Sequence, residues 1–180
     1  MKGYIVEQIM NILILYATKW GVTKECAEIL AEQLRIRYTV SVVNIRESIP
    51  DLGQYDLIVL GSHIRMGRMD KTMKRLIRDN AKLLSSLPTA VYFCMGYPKQ
   101  FEEYADIELP KDLRCSLGVH CFGGELKPEK LKGFDKWVVR AVRNSIRTQD
   151  FEESDADHHQ LPEILPENIT LLADKIKSLY

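Results

Sequence analysis

The chain has 180 residues, enough for one domain around a single core, and its 46% apolar and 28% charged residues describe a globular protein. Twenty-five Lys and Arg balance 25 Asp and Glu, so overall charge offers no argument for a nucleic-acid partner. No apolar run is long enough to cross a bilayer, and the apolar start is broken at Glu7 and Gln8, unlike a secretory signal.

Residues 1–9 read as an N-terminal extension, and Met10 stands directly before the first apolar run, Asn11–Tyr16. Further runs follow at Thr39–Asn44, Leu57–Gly61, Thr89–Cys94 and Ser116–Phe122. They are rich in Ile, Val and Leu without strict alternation, the pattern of strands buried on both faces of a parallel sheet. Helical patterns separate them. One covers Val22–Arg37, with Ala27, Leu30, Ala31 and Leu34 on one stripe, and another covers Lys71–Leu84. A last helix, Glu167–Leu179, follows Pro166. Alternating strands and helices predict an α/β doubly wound fold, a five-stranded parallel sheet in order 2-1-3-4-5 with helices on both faces. Residues 10–180 then form one domain, with an inserted segment at about 123–166.

Cys26, Cys94, Cys115 and Cys121 show no CxxC spacing and read as reduced, mostly buried thiols of a cytoplasmic protein. His158 and His159 lie in an acidic stretch without a nearby cysteine, so no metal site is expected.

In an open α/β sheet, ligands bind outside the carboxyl ends of the strands, beside strand one where the strand order reverses. Thr18-Lys19-Trp20-Gly21-Val22-Thr23 occupies that point, between an apolar strand and a helix. A helix amino end presents unpaired N–H groups that suit a phosphate; Thr18 and Thr23 can add hydroxyls, and Gly21 permits positive φ. The loop lacks both the Walker A ending and the three-glycine dinucleotide fingerprint, so a phosphate monoester is the expected ligand.

This stretch resembles the phosphate loop of flavodoxins, which binds flavin mononucleotide (FMN), with Trp20 standing where Thr or Ser is usual and Val22 where Asn is frequent. A second block, Leu60-Gly61-Ser62-His63-Ile64-Arg65-Met66-Gly67-Arg68, resembles the Gly-x-Ser-Ile-Arg-x-Gly loop of a flavodoxin-like group, the menaquinone-dependent protoporphyrinogen dehydrogenases. Gly123-Gly124-Glu125-Leu126 and Gly133-Phe134-Asp135-Lys136-Trp137 extend the likeness into the insertion. The resemblance implies FMN held by Thr18, Lys19, Trp20, Gly21, Val22 and Thr23. Ser62, His63, Ile64, Arg65 and Gly67 would flank its ring on one side, with Met95, Gly96 and Tyr97 on the other. Arg65 is the candidate catalytic residue. With Arg68 and Lys99 it would raise the flavin potential above that of ordinary flavodoxins, which surround the ring with acids.

The implied function is an FMN-dependent oxidoreductase with a quinone acceptor. Two alternatives stay open: an electron carrier serving a redox partner protein, and a module of the same fold with a degenerate flavin site. Between Lys127 and Arg147 seven Lys or Arg face two acids, net +5, and Lys136, Arg140, Arg143 and Arg147 share one helical face. Phe134–Arg147 is therefore a candidate for peripheral contact with the inner face of a membrane, against the plainer reading of a wet basic face. A homodimer is compatible with the sequence, and no nucleic-acid recognition motif is present.

Overall fold

The computed structural model describes residues 9–18, 21–96, 98–124 and 163–179. In chain order the elements are β1 (Asn11–Ala17), α1 (Val22–Leu34), β2 (Thr39–Asn44), β3 (Leu57–Arg65), β4 (Arg68–Met69), α2 (Lys71–Asp79), α3 (Ala81–Ser86), β5 (Thr89–Cys94), α4 (Phe101–Glu108), β6 (Gly118–Cys121) and α5 (Pro166–Lys177). The sheet runs β2-β1-β3-β5-β6, all parallel, with the short β4 folded antiparallel onto the end of β3. Setting β4 aside, this is the order 2-1-3-4-5 read from the sequence.

The central strands are apolar along their whole length because both of their faces are covered. Ile12, Ile14, Leu57, Val59, Ala90 and Tyr92 point toward α1 and α5, whose Ala27, Leu30, Leu34, Ile169, Leu172 and Ile176 complete that core. Leu13, Leu15, Ile58, Leu60, Val91 and Phe93 point the other way, toward Met73, Leu76, Ile77 and Leu84 of α2 and α3. Each fully buried Leu or Ile contributes about 1.5–3 kcal/mol of transfer free energy. The chain leaves β1 for one face and β3 for the other, so a crevice opens between the carboxyl ends of these two strands.

Several boundaries differ from the sequence reading, each for a local reason. The helix expected over Lys71–Leu84 is two. Asn80 leaves helical geometry at φ −120°, its side-chain amide donates to the Leu76 carbonyl at 2.8 Å, and α3 starts afresh. The third strand runs past Gly61 to Arg65, because β4 supplies it with a partner beyond the parallel sheet. The first helix stops at Leu34, where Arg35–Arg37 form a turn into β2, and α4 was not anticipated as a separate element.

The two ends of the expected insertion meet. Gly123 and Ile164 form an antiparallel bridge, Leu165 N–H donates to the Phe122 carbonyl at 2.9 Å, and Gly124 N–H donates to Glu163 O at 3.1 Å. A side chain is excluded at Gly123, whose φ is 72° and whose Cβ would fall 2.0 Å from that same Glu163 oxygen. The basic segment Phe134–Arg147 and residues 1–8 of the extension 1–9 lie outside the described residues, as do His158 and His159.

Candidate functional site

Register places the three key loops side by side. Ala17 pairs with Ser62, and His63 pairs with Cys94, so β1, β3 and β5 release their loops at one rim of the sheet. Thr18 and Gly21 leave β1, the hairpin extends β3, and Met95-Gly96 follow β5. Lys19, Trp20 and Tyr97 lie outside the described residues.

The loop after β1 turns into α1 at Gly21, which is left-handed at φ 96° with open space where a Cβ would stand. Conformation, rather than crowding, calls for glycine there. The Thr18 hydroxyl accepts from Gly21 N–H at 2.9 Å and tightens the turn. Among the described residues no side chain caps α1, so its first-turn amides, starting at Val22, stand at the crevice rim without an internal acceptor there. That arrangement suits an anion. Thr23 is turned inward: its side chain is buried, its hydroxyl has no partner of ordinary geometry, and its carbonyl receives the Tyr92 hydroxyl at 2.7 Å.

Ser62 is also fully buried. Its hydroxyl donates to the His63 carbonyl at 3.2 Å and accepts from Asp70 N–H at 3.1 Å, so it fastens the base of the hairpin. His63 is half-buried, with Nδ1 3.4 Å from the Ala17 carbonyl. Burial lowers its pKa, against the upward pulls of that carbonyl and Asp70, while Arg46 and Arg65 push it lower still. The ring is therefore neutral at pH 7. Ile64 packs on the α2 side of the core, Arg65 is half-buried, and Gly67 sits at the turn with φ 73°. Met95 is buried, its amide bonded to the Gly123 carbonyl at 2.9 Å, and Gly96 is half-buried above it.

The supporting residues were not visible as site residues. Asp70 caps α2 by accepting from Thr72 and Met73 amides at 2.9 and 3.2 Å, and pairs with Arg46. Burial raises its pKa, but the Arg46 bond and the two amides outweigh that and leave it below the usual carboxylate value. An Asp before a helix start is a capping signal that could have been read. Glu108 is buried and accepts from Met69 N–H at 3.3 Å and Lys74 Nζ at 3.0 Å. Nothing in sequence joins it to residues 34 and 39 positions earlier. A cavity of about 670 Å³ between α4 and the start of β6 opens at the opposite end of the sheet, away from this rim.

Among the described residues no helix is long and apolar enough to cross a membrane, and no cluster of His, Cys, Asp and Glu could hold a metal. In overall shape the chain is similar to a flavodoxin of Streptococcus pneumoniae TIGR4, with TM-score 0.55 and 16% identity over 94% of this chain and 99% of that one. It is similar also to a short-chain flavodoxin associated with a bacterial microcompartment, with TM-score 0.58 and 15% identity over 96% and 100%. In sequence it is 34% identical over 85 residues to protoporphyrinogen IX dehydrogenase [quinone] of Escherichia coli K12, covering 46% of this chain and 47% of that protein. The chain thus matches about half the length of these curated relatives. The family model describing a flavodoxin domain matches residues 13–154, most of the chain, and the protein therefore belongs to that family.

Proposed function

We propose that this protein is an FMN-dependent oxidoreductase that passes electrons from a reduced organic substrate to a quinone. The observation that carries the reading is the uncapped amino end of α1, set by Gly21 at the crevice between β1 and β3. Its amides fit a nucleotide monophosphate. Thr18, Lys19, Trp20, Gly21, Val22 and Thr23 form the phosphate loop in this reading, Thr23 through its backbone. Ser62, His63, Ile64, Arg65 and Gly67 form one wall of the ring slot, and Met95, Gly96 and Tyr97 the other.

Bound FMN would supply the two-electron chemistry; the chain supplies binding, orientation and charge. The neutral His63 adds no charge to the slot, whereas Arg65 and Arg68 place positive charge on its rim. That charge favours electron uptake, so a potential above that of ordinary flavodoxins is expected. The relative named for protoporphyrinogen and quinone makes these the first substrate and acceptor to try.

Titration of purified protein with FMN, followed in the visible spectrum, tests the reading; absence of saturable binding by folded protein overturns it. With flavin bound, rapid reoxidation by a menaquinone analogue separates an enzyme from an electron carrier with a protein partner. Peripheral contact of Phe134–Arg147 with anionic lipid belongs to the same proposal, and liposome flotation with Arg140, Arg143 and Arg147 replaced tests it. Sedimentation of the purified chain decides between monomer and homodimer.

A further inference from the structure

The helices covering one face of the sheet carry opposite charge on their outer sides. In α2 and α3 the inward positions are Met73, Leu76, Ile77 and Leu84. Lys71, Lys74, Arg75, Arg78 and Lys82 are all left exposed, and Asp79 is the one acid between Lys71 and Leu84. In α4 the exposed charges are Glu102, Glu103 and Asp106, and no base lies between Phe101 and Glu108. At about 100° per residue, Lys71, Arg75 and Arg78 share one sector of α2, and the three acids share one sector of α4.

Pairing within the chain consumes only part of this charge. Lys74 bonds the buried Glu108 at 3.0 Å and ties α2 to α4, and Arg78 pairs with Asp79 at 2.9 Å. Among the described residues Lys71, Arg75 and Lys82 form no ion pair, and neither do Glu102, Glu103 and Asp106. Three unmatched cations and three unmatched anions therefore stand on neighbouring helices, all turned outward. An apolar side chain is exposed beside each group, Leu83 at 36% and Ile107 at 62%. A uniformly acidic protein, or an anionic membrane, would be attracted by α2 and repelled by α4 next to it. The partner that suits both must be acidic where this face is basic and basic where it is acidic. A second copy of the chain, turned about a two-fold axis, has that pattern.

We propose that this face is the contact surface of a homodimer, in which α2 and α3 of each protomer lie over α4 of the other. Lys71, Arg75 and Lys82 then meet Glu102, Glu103 and Asp106 of the second copy. This gives the homodimer raised above a surface, and it stands independently of the redox reading. The contact is self-complementary, so each ion pair is made twice. Leu83 and Ile107 add apolar contact within a polar interface. Exposed ion pairs set register and encounter rate more than affinity, and salt screens them. The dimer is accordingly reversible and weakened by salt.

Sedimentation velocity of the full chain and two reversed variants tests this. One variant carries Lys71→Glu, Arg75→Glu and Lys82→Glu; the other carries Glu102→Lys, Glu103→Lys and Asp106→Lys. Wild type should dimerise at low salt, and each variant alone should associate at least about tenfold more weakly. An equimolar mixture of the two should recover the dimer, one chain of each kind, because every reversed contact then faces its opposite. Acids in the first turn favour a helix, so reversing Glu102 and Glu103 strains α4 itself. Should that chain fail to fold, Glu103→Gln with Asp106→Asn takes its place, and its dimer should be about fivefold weaker than wild type. A wild type that stays monomeric at low salt up to about 100 μM overturns the proposal. So does a dimer indifferent to both reversals, or a mixture of folded variants that does not pair. Binding of a monomeric wild type to phosphatidylglycerol vesicles, lost on reversing α2, overturns it in favour of a lipid surface. The FMN titration is a separate readout: its failure sinks the redox reading and leaves the dimer face standing.

Discussion

The ring of Tyr92 passes beneath Gly61 in the next strand, where an added Cβ would lie 2.1 Å from it. It stacks on Phe122 with centroids 4.5 Å apart and ends on the Thr23 carbonyl. One aromatic residue thus braces the first turn of α1 from within the core. Tyr92→Phe should cost about 1 kcal/mol in urea unfolding and weaken FMN measurably, as the turn bearing the phosphate amides loosens. Gly61→Ala should cost more, about 1–3 kcal/mol, since the ring must move. His63 gives a pH signature. Its folded pKa lies below the ordinary 6.5, so the unfolded chain takes a proton that the folded one refuses. Stability should fall as pH drops from about 6.5 toward the folded value, and then level off. His63→Gln should flatten that slope in denaturant titrations, leaving the contribution of His120, also lowered by burial. At this scale the sequence marked Gly21, Gly67 and the loop positions by residue type. It could not show that Ser62 and Thr23 point inward. Which way a hydroxyl faces depends on contacts such as Asp70 to Ser62, which form only after the chain folds.

Elements were legible wherever one period dominated. The stripe of α1 and the apolar runs of β1, β3 and β5 were read correctly because burial repeats along them. The break at Asn80 was hidden, since Met73, Leu76, Ile77 and Leu84 keep nearly helical spacing across it. The β3–β4 hairpin was hidden for another reason: its partner strand is two residues long and has no period at all. That hairpin depends on its turn. Gly67→Ala places a Cβ at φ 73° and should destabilise the protein by about 1 kcal/mol or more, seen as a lower Tm. The loss should be local, with faster hydrogen exchange at Met69 and Asp70, whose amides are anchored to Glu108 and Ser62.

For the whole molecule, parallel strands with crossovers to opposite faces place the crevice before any side chain is considered, and this much followed from the order of apolar runs. What lies between Gly123 and Ile164 did not, because net charge and composition describe a segment without saying where its ends go. The bridge joins those ends. We propose that 10–180 is one domain with an inserted segment at about 123–166, of which residues 125–162 lie outside the described residues. Replacing them with a short Gly-Ser linker should leave a single cooperative unfolding transition and intact FMN uptake, while any lipid flotation due to Phe134–Arg147 disappears. Two separate transitions in the full chain would instead reveal an independent unit. Among the described residues the sheet ends at β6, and that margin has a consequence of its own. It is four residues long, begins at a glycine with φ 91°, and has the Leu117 carbonyl at its threshold occupied by the Lys175 ammonium group at 2.9 Å. So brief and plugged a border is a poor template for a foreign strand, which guards that side of the molecule against fibrous self-association at high concentration.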